Sequence, residues 1–306
     1  MPLSHLPTEI ILDIADYLEV AGTNALACTN SNIYDLLIKK FYRQDVDKDA
    51  QSRSLTWAAE NGVIGTIQRA VDVRQYFNRI PDGFHIALQV AAGQGHVSLV
   101  ELILTVDGID PNFRGGSSKS TPLSLAAREG HSAVVELLLA AVNIDPNVTD
   151  LSVTVTDQDL MSNLTPLTYA CWKGHVSIVR QLLARDDIDV NILDNWAGRT
   201  ALHWAVYESR CLEIVNLLLE KDYIDPNVRD VTFGCTALNF ACDIRDIAII
   251  RSLLSHRRTN PNTINTNGAS VLADFLTYQE PEYLTPPNSE IESLLRAAGA
   301  RVFWNR

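Results

Sequence analysis

Three histidines each follow a glycine, and imidazole groups are common ligands for zinc. His96, His131 and His175 are separated by 35 and 44 residues, and no acidic or thiol side chain recurs beside them as a further ligand. Spacings of this length place each histidine in a different structural unit. We therefore interpret all three as hydrogen-bonded turn residues, and the sequence predicts no metal site.

The other reactive side chains do not form a recognisable catalytic motif. The five cysteines include no Cys-x-x-Cys pair, which argues against a redox or zinc motif. Cys171 and Cys242 fall at small-residue positions, where a thiol behaves as a small buried hydrophobe. The sequence contains no phosphate-binding loop, no G-x-S-x-G and no H-E-x-x-H. We predict that the protein is not an enzyme and that it uses no cofactor.

The charge balance narrows the class of partner. The chain has 37 acidic and 25 basic residues, a net charge of −12, and a negative field repels the phosphate backbone of nucleic acids. No uncharged apolar run is long enough to span a membrane, and the start of the chain lacks the pattern of a secretory signal. We expect a protein of the cytoplasm or nucleus whose partners are proteins, with no nucleic acid and no membrane among them.

A short segment recurs along the chain and defines a repeating unit. It reads TPLSLAAREGH, TPLTYACWKGH, TALHWAVYESR and TALNFACDIRD from Thr121, Thr165, Thr200 and Thr236. A column of leucines in the same phase has spacings of 33, 35, 44, 35, 36 and 34 residues. A second marker, IDPN or IDVN, closes successive units. Two independent markers in one phase indicate a structural repeat.

Each unit carries the signals of two helices. Thr121 and Thr165 are suited to cap the first helix, and the proline after each suits the first helical position. Gly95, Gly130 and Gly174 end that helix, because glycine adopts a left-handed backbone at little cost. A second helix follows with a buried apolar stripe. The Asp-Pro-Asn segment cannot continue a helix and predicts an exposed hairpin loop.

These units resemble the ankyrin repeat, and the resemblance covers residues 50–306. It implies an all-α solenoid of six to seven helix-turn-helix units with hairpin loops. The histidine usual in the first helix of that repeat survives only at His203, and the turn at 209–211 is one residue longer. We interpret the single spacing of 44 residues as a loop insertion between Asn147 and Thr165, in which 153–156 alternate as a short strand would.

Aromatic side chains at one repeat position predict a partner-binding surface. In each first helix a pair such as Ala126-Ala127 or Ala170-Cys171 follows the repeated leucine. Trp172 and Tyr207 come directly after this pair in adjacent repeats, and Trp196 lies in the loop between those repeats. Trp and Tyr are enriched among the residues that anchor interfaces. We predict that these three residues contact a protein target on the concave face. The alternative is that each packs on a neighbouring repeat. Trp204, inside the small-residue segment, is predicted to be a core residue.

Residues 1–45 depart from the repeat phase and predict a separate block of short helices. Its Leu6-Pro7-x-Glu9-Ile10 opening and a later Leu-Ala-x-Thr-Asn stretch resemble the F-box of fungal F-box/ankyrin proteins. That resemblance implies binding of a Skp-family adaptor through Leu6, Pro7, Ile10, Ile11 and Ile14. The alternative is a helical cap on the repeats.

Together the two resemblances predict a substrate-recognition adaptor for an SCF-type ubiquitin ligase. In that role the ankyrin repeats bind the target and the N-terminal block binds the ligase. The alternative is a plain ankyrin scaffold or regulator whose N-terminal helices serve only as a cap.

Overall fold

A computed structural model describes residues 53–73, 82–116, 119–150, 163–277 and 286–304. These ranges fold as seven successive pairs of helices, and their β-pairing is limited to isolated bridges. The all-α repeat fold predicted from the sequence is therefore confirmed over this part of the chain. In chain order the helices are α1 (Arg53–Glu60), α2 (Ile64–Val73), α3 (Asp82–Gln94), α4 (Val97–Leu104), α5 (Pro122–Glu129), α6 (Ser132–Leu139), α7 (Pro166–Lys173), α8 (Val176–Leu183), α9 (Ala201–Trp204), α10 (Leu212–Leu219), α11 (Ala237–Asp243), α12 (Ile247–Ser255), α13 (Val271–Thr277) and α14 (Pro286–Ala297).

The helix pairs belong to two compact units whose boundary lies between Ile144 and Asp145. Helices α1 to α6 are in the first unit, and helices α7 to α14 are in the second. Within each unit, the first helix of a pair packs against the first helix of the next pair, and the second helices do the same. Each pair therefore buries its apolar side chains against its neighbours in sequence.

The caps predicted from the sequence are present. The hydroxyl oxygen of Thr121 accepts the backbone N–H of Ser124 at 3.0 Å, and Thr165 accepts that of Thr168 at 3.1 Å. In both helices the proline occupies the first helical turn. Gly130 and Gly174 follow these helices with φ of 86° and 77°. Such positive values are why glycine stands there.

The longer turn after α9 is accommodated as a π-helical turn. The helix continues over Ala205–Ser209 with the wider winding, so one additional residue fits before the chain reverses. Arg210 then adopts φ 48° and ψ 34°, the left-handed conformation that glycine takes at Gly130 and Gly174. The insertion therefore leaves the π-helical turn packed against α10 but puts a bulky residue in a backbone position that glycine prefers.

The repeated leucines form the core. All seven are at most 1% exposed: Leu55, Leu88, Leu123, Leu167, Leu202, Leu238 and Leu272. Cys171 and Cys242 are also buried, as predicted, and burial raises the pKa of both thiols. Since the thiolate is the reactive form, these two cysteines act as packing residues.

Asparagines in the hairpin loops bridge successive repeats of the second unit. Each side-chain N–H donates to a backbone carbonyl of the next repeat at 2.7–3.1 Å. Each side-chain oxygen accepts a backbone N–H of that repeat at 2.7–3.0 Å. The four residues are Asn147, Asn191, Asn227 and Asn262. The IDPN marker therefore does more than end a helix: its asparagine joins one loop to the next.

The insertion closes at its base, where the N–H of Asp150 donates to the carbonyl of Leu164 at 3.2 Å. Residues 151–162, with the strand expected at 153–156, lie outside the described residues. The N-terminal block lies outside them as well, including Leu6, Pro7, Ile10, Ile11 and Ile14. In the described part of the chain, no helix has the length and apolar character needed to cross a membrane.

Candidate functional site

Two of the glycine-following histidines contact the preceding repeat. The Nε2 atom of His131 lies 3.0 Å from the carbonyl oxygen of Gly93, and that of His96 lies 3.4 Å from the carbonyl oxygen of Glu60. These contacts confirm the interpretation of both as hydrogen-bonded turn residues. Across the residues that the structure describes, no group of three or more His, Cys, Asp or Glu side chains is suited to hold a metal ion.

Two of the three predicted partner-binding residues meet on a buried tryptophan. Trp204 is 1% exposed, which confirms it as a core residue, and its indole N–H donates to Asp194 at 2.9 Å. The ring centroid of Trp172 lies 5.5 Å from that of Trp204, and the centroid of Trp196 lies 6.2 Å from it. Trp172, on α7, and Trp196, in the hairpin loop before α9, therefore pack against the same core side chain.

An arginine outside the three predicted residues connects the rest of the cluster. Arg199 is 6% exposed. Its guanidinium carbon lies 5.2 Å from the ring centroids of both Trp196 and Tyr207, and 4.8 Å from that of Phe240. A cation at such distances is attracted by the electron-rich ring faces. Side chains of the hairpin loop, of the π-helical turn and of α11 therefore surround one positive charge.

Arg199 lies near a carboxylate but forms no hydrogen bond with it through Nε. Its Nε atom lies 4.0 Å from Oδ2 of Asp230, beyond hydrogen-bonding distance. The other oxygen of Asp230 accepts the backbone N–H groups of Phe233 and Cys235 at 3.1 and 2.7 Å. Neither Nε of Arg199 nor Oδ2 of Asp230 has a hydrogen-bond partner among the described residues. Aromatic rings and one carboxylate therefore surround the guanidinium, and its Nε–H has no hydrogen-bond acceptor among the described residues.

Several aromatic side chains around Arg199 face solvent. Trp196 is 42% exposed, Tyr207 is 40% exposed and Phe233 is 56% exposed, whereas Trp172 is half-buried. We call Arg199 with Trp196, Tyr207 and Phe233 the Arg199 surface. Trp196 packs on buried Trp204 and Tyr207 on buried Phe240, so these two rings are held in place before a partner binds.

A cavity of about 420 Å³ opens beside Arg199, and Tyr207, Phe233 and Phe240 contribute to its walls. Two carboxylates, Asp243 and Asp274, lie on the same cavity. Desolvation by the cavity walls, followed by the charge of Asp274, raises the pKa of Asp243 to about 6. Desolvation also raises the pKa of Asp274, against hydrogen bonds from Asn265 and Asn239. The cavity therefore places two carboxylates where their charges disfavour each other.

The sequence did contain a signal for Arg199. The residue directly before each repeated threonine is buried, and elsewhere it is small or apolar: Ser120, Leu164 and Cys235 are 4%, 1% and 6% exposed. At the equivalent position of its own repeat, Arg199 is buried as well, but it is charged. A buried charge requires a counter-charge or aromatic neighbours, so this departure marks the site. Phe233 and Phe240 carry no such signal, because phenylalanine is ordinary both in loops and in cores.

Comparisons with known proteins agree with the geometry. A family model described as ankyrin repeats, in three copies, matches residues 55–150 and 152–230. Among solved structures, the ankyrin repeat domain of Bcl-3, described as a unique member of the IkappaB protein family, matches with a TM-score of 0.58 and 24% sequence identity. That match covers 70% of this chain and 86% of the Bcl-3 chain, and at this identity it shows the fold alone. A comparison of the sequence with curated proteins gives no match.

Proposed function

Because the chain belongs to the ankyrin-repeat family, a family of protein-binding scaffolds, we propose that it captures a partner polypeptide on the Arg199 surface. The observation that carries this proposal is the pair of exposed rings, those of Trp196 and Tyr207, each 5.2 Å from one buried guanidinium. Trp and Tyr side chains supply most of the binding energy in many interfaces. Rings that are already held in place lose little conformational entropy when a partner binds.

Trp172 has a smaller part in the proposed partner binding. It packs on Trp204 and Tyr169 and carries the ammonium group of Lys173 4.2 Å from its ring centroid. We expect it to contribute less to binding than Trp196 and Tyr207, because more of its surface is already covered by the protein itself.

The test is selection of random dodecapeptides on the full chain, followed by measurement of the selected peptides on single variants. Trp196→Ala and Tyr207→Ala should each weaken binding by about 1–2 kcal/mol while circular dichroism shows that the variant remains folded. Tyr223→Ala is the matched control, since Tyr223 is exposed to a similar degree, 43%, and takes no part in the cluster. Peptides that bind equally well to all three variants would show that recognition lies elsewhere.

A finer role as a substrate-recognition subunit of an SCF-type ubiquitin ligase is supported by the sequence of residues 1–45. In this role Leu6, Pro7, Ile10, Ile11 and Ile14 bind a Skp-family adaptor, and the Arg199 surface holds the target. The protein performs no chemistry itself; it raises the effective concentration of target at the ligase. Such a complex forms in the cytoplasm or nucleus.

The adaptor role is tested by calorimetry with a purified Skp-family adaptor and the full chain. Ile10→Asp places an unpaired carboxylate in the proposed interface and should abolish binding, while peptides selected on the Arg199 surface still bind. The plain scaffold or regulator, with residues 1–45 as a cap, predicts that the wild-type chain binds no adaptor and that Ile10→Asp lowers the stability of α1 and α2.

A further inference from the structure

The cavity beside Arg199 carries an excess of negative charge. Arg199 already faces one carboxylate, that of Asp230. Asp243 and Asp274 add two more, and neither forms an ion pair with a residue that the structure describes. Both carboxylates have raised pKa values because of desolvation, and Asp243 is raised further by its neighbour. A cation placed between them would remove the repulsion that opposes their ionisation.

The walls of the same cavity suit the aliphatic part of a long side chain. Tyr207, Phe233 and Phe240 line it, and Phe240 is held 5.3 Å from Tyr207, centroid to centroid. Lysine and arginine carry a charged head group on an apolar stem, and that stem packs well on aromatic rings. The net charge of −12 also favours a basic segment as it approaches.

Arg199 independently indicates that a ligand in this cavity should supply a hydrogen-bond acceptor. It lines the cavity, it is 6% exposed, and its guanidinium donates no hydrogen bond to a described residue; its Nε–H is buried against Asp230, so the terminal N–H groups are the donors left for a ligand. A buried donor without an acceptor is costly. A backbone carbonyl of a bound peptide is an acceptor that any polypeptide provides, and it adds no negative charge to a cavity that already has an excess.

We propose that this cavity binds a lysine or arginine side chain of the partner polypeptide, with the basic head group between Asp243 and Asp274 and a peptide carbonyl on Arg199. The inference rests on the proposed function, because it names the residue class that the Arg199 surface recognises. It distinguishes this site from a merely apolar groove, which would accept any large hydrophobic side chain equally well.

The test uses dodecapeptides selected on the full chain whose binding is lost with Tyr207→Ala. These should contain a lysine or arginine, and replacing it by norleucine should weaken binding about tenfold, or about 1.4 kcal/mol. Asp243→Asn and Asp274→Asn should weaken the same peptides to a similar extent. Asp222→Asn is the matched control, since it removes a carboxylate whose side chain is 95% exposed and lies outside the cavity.

The charge pairing itself is measured by a double-mutant cycle. On the variant Asp243→Asn/Asp274→Asn, the basic peptide and its norleucine analogue should bind equally. Peptides that depend on Tyr207 but carry no basic residue, or that bind the aspartate variants unchanged, would overturn the inference and leave the proposed function standing. Selection of acidic peptides would overturn it in the same way. If no selected peptide depends on Trp196 or Tyr207, both fail.

Discussion

The Nε atom of Arg199 lies 4.0 Å from a carboxylate oxygen of Asp230, and the two side chains are 7% and 0% exposed. The pair is held by charge attraction without a hydrogen bond between these atoms. Such a pair contributes little net stability over an apolar replacement, but each charge becomes costly when the other is removed. The aromatic rings around the guanidinium offset part of its desolvation.

We therefore expect Arg199→Met to destabilise the second unit by about 3 kcal/mol, because it leaves Asp230 as an unpaired buried carboxylate. The double variant Arg199→Met/Asp230→Asn should recover part of that loss, since the asparagine oxygen can still accept the N–H groups of Phe233 and Cys235. Urea denaturation of the single and double variants measures the coupling. Effects that simply add would show that the two charges do not interact.

The asparagine bridges give a second prediction. Asn191 donates to the carbonyl of Tyr223 at 2.9 Å and accepts the N–H of Asp225 at 3.0 Å. Asn191→Ala removes both bonds and should cost about 1–2 kcal/mol, with faster hydrogen exchange at the amide of Asp225. Asn195→Ala, an exposed loop position, is the control and should leave both quantities unchanged. Equal stability of the two variants would contradict a bridging role.

Structural features whose sequence signal lies within one helical turn could be predicted, whereas features built from residues far apart in the chain could not. The capped first helices were predictable, since Thr121, Pro122 and Gly130 each act within one turn of chain. The surroundings of Arg199 were not, because its rings come from a hairpin loop, a π-helical turn and the next repeat, at separations that follow no period. Repeat position alone predicts Trp172, Trp196 and Tyr207 as surface residues, but it does not predict that the last two surround Arg199.

The left-handed turn at Arg210 gives a third prediction. Its φ of 48° is one that glycine adopts without the Cβ penalty that other residues meet. Arg210→Gly should raise the free energy of unfolding by about 1 kcal/mol relative to Arg210→Ala, which removes the same side chain but keeps the Cβ atom. Thermal or urea denaturation makes the comparison. If the alanine variant is as stable as the glycine variant, the backbone there is not strained.

His203 supplies a pH-dependent term in the stability of the second unit. The backbone N–H and the hydroxyl of Thr200 lie 3.2 and 2.9 Å from its Nδ1 atom, and its Nε2 atom lies 3.3 Å from the carbonyl of Cys235. An Nδ1 that accepts from a backbone N–H leaves Nε2 as the donor, so the ring is neutral in this arrangement. Burial lowers the pKa of His203 to about 4, although the hydrogen bond to Cys235 and the carboxylates of Asp230 and Asp194 act in the opposite direction.

Because this pKa is lower in the folded than in the unfolded protein, the unfolded chain takes up the proton first as the pH falls. The stability that His203 contributes is therefore complete above the ordinary histidine pKa and is lost as the pH falls towards about 4. His203→Asn keeps an acceptor for the cap, as Asn239 does for Thr236 at 3.0 Å, but does not titrate. Between about pH 7 and about pH 4.5, the wild type should lose about 2 kcal/mol more stability than this variant. Urea denaturation at the two pH values measures that difference, and parallel losses in the two proteins would show that His203 is not the group responsible.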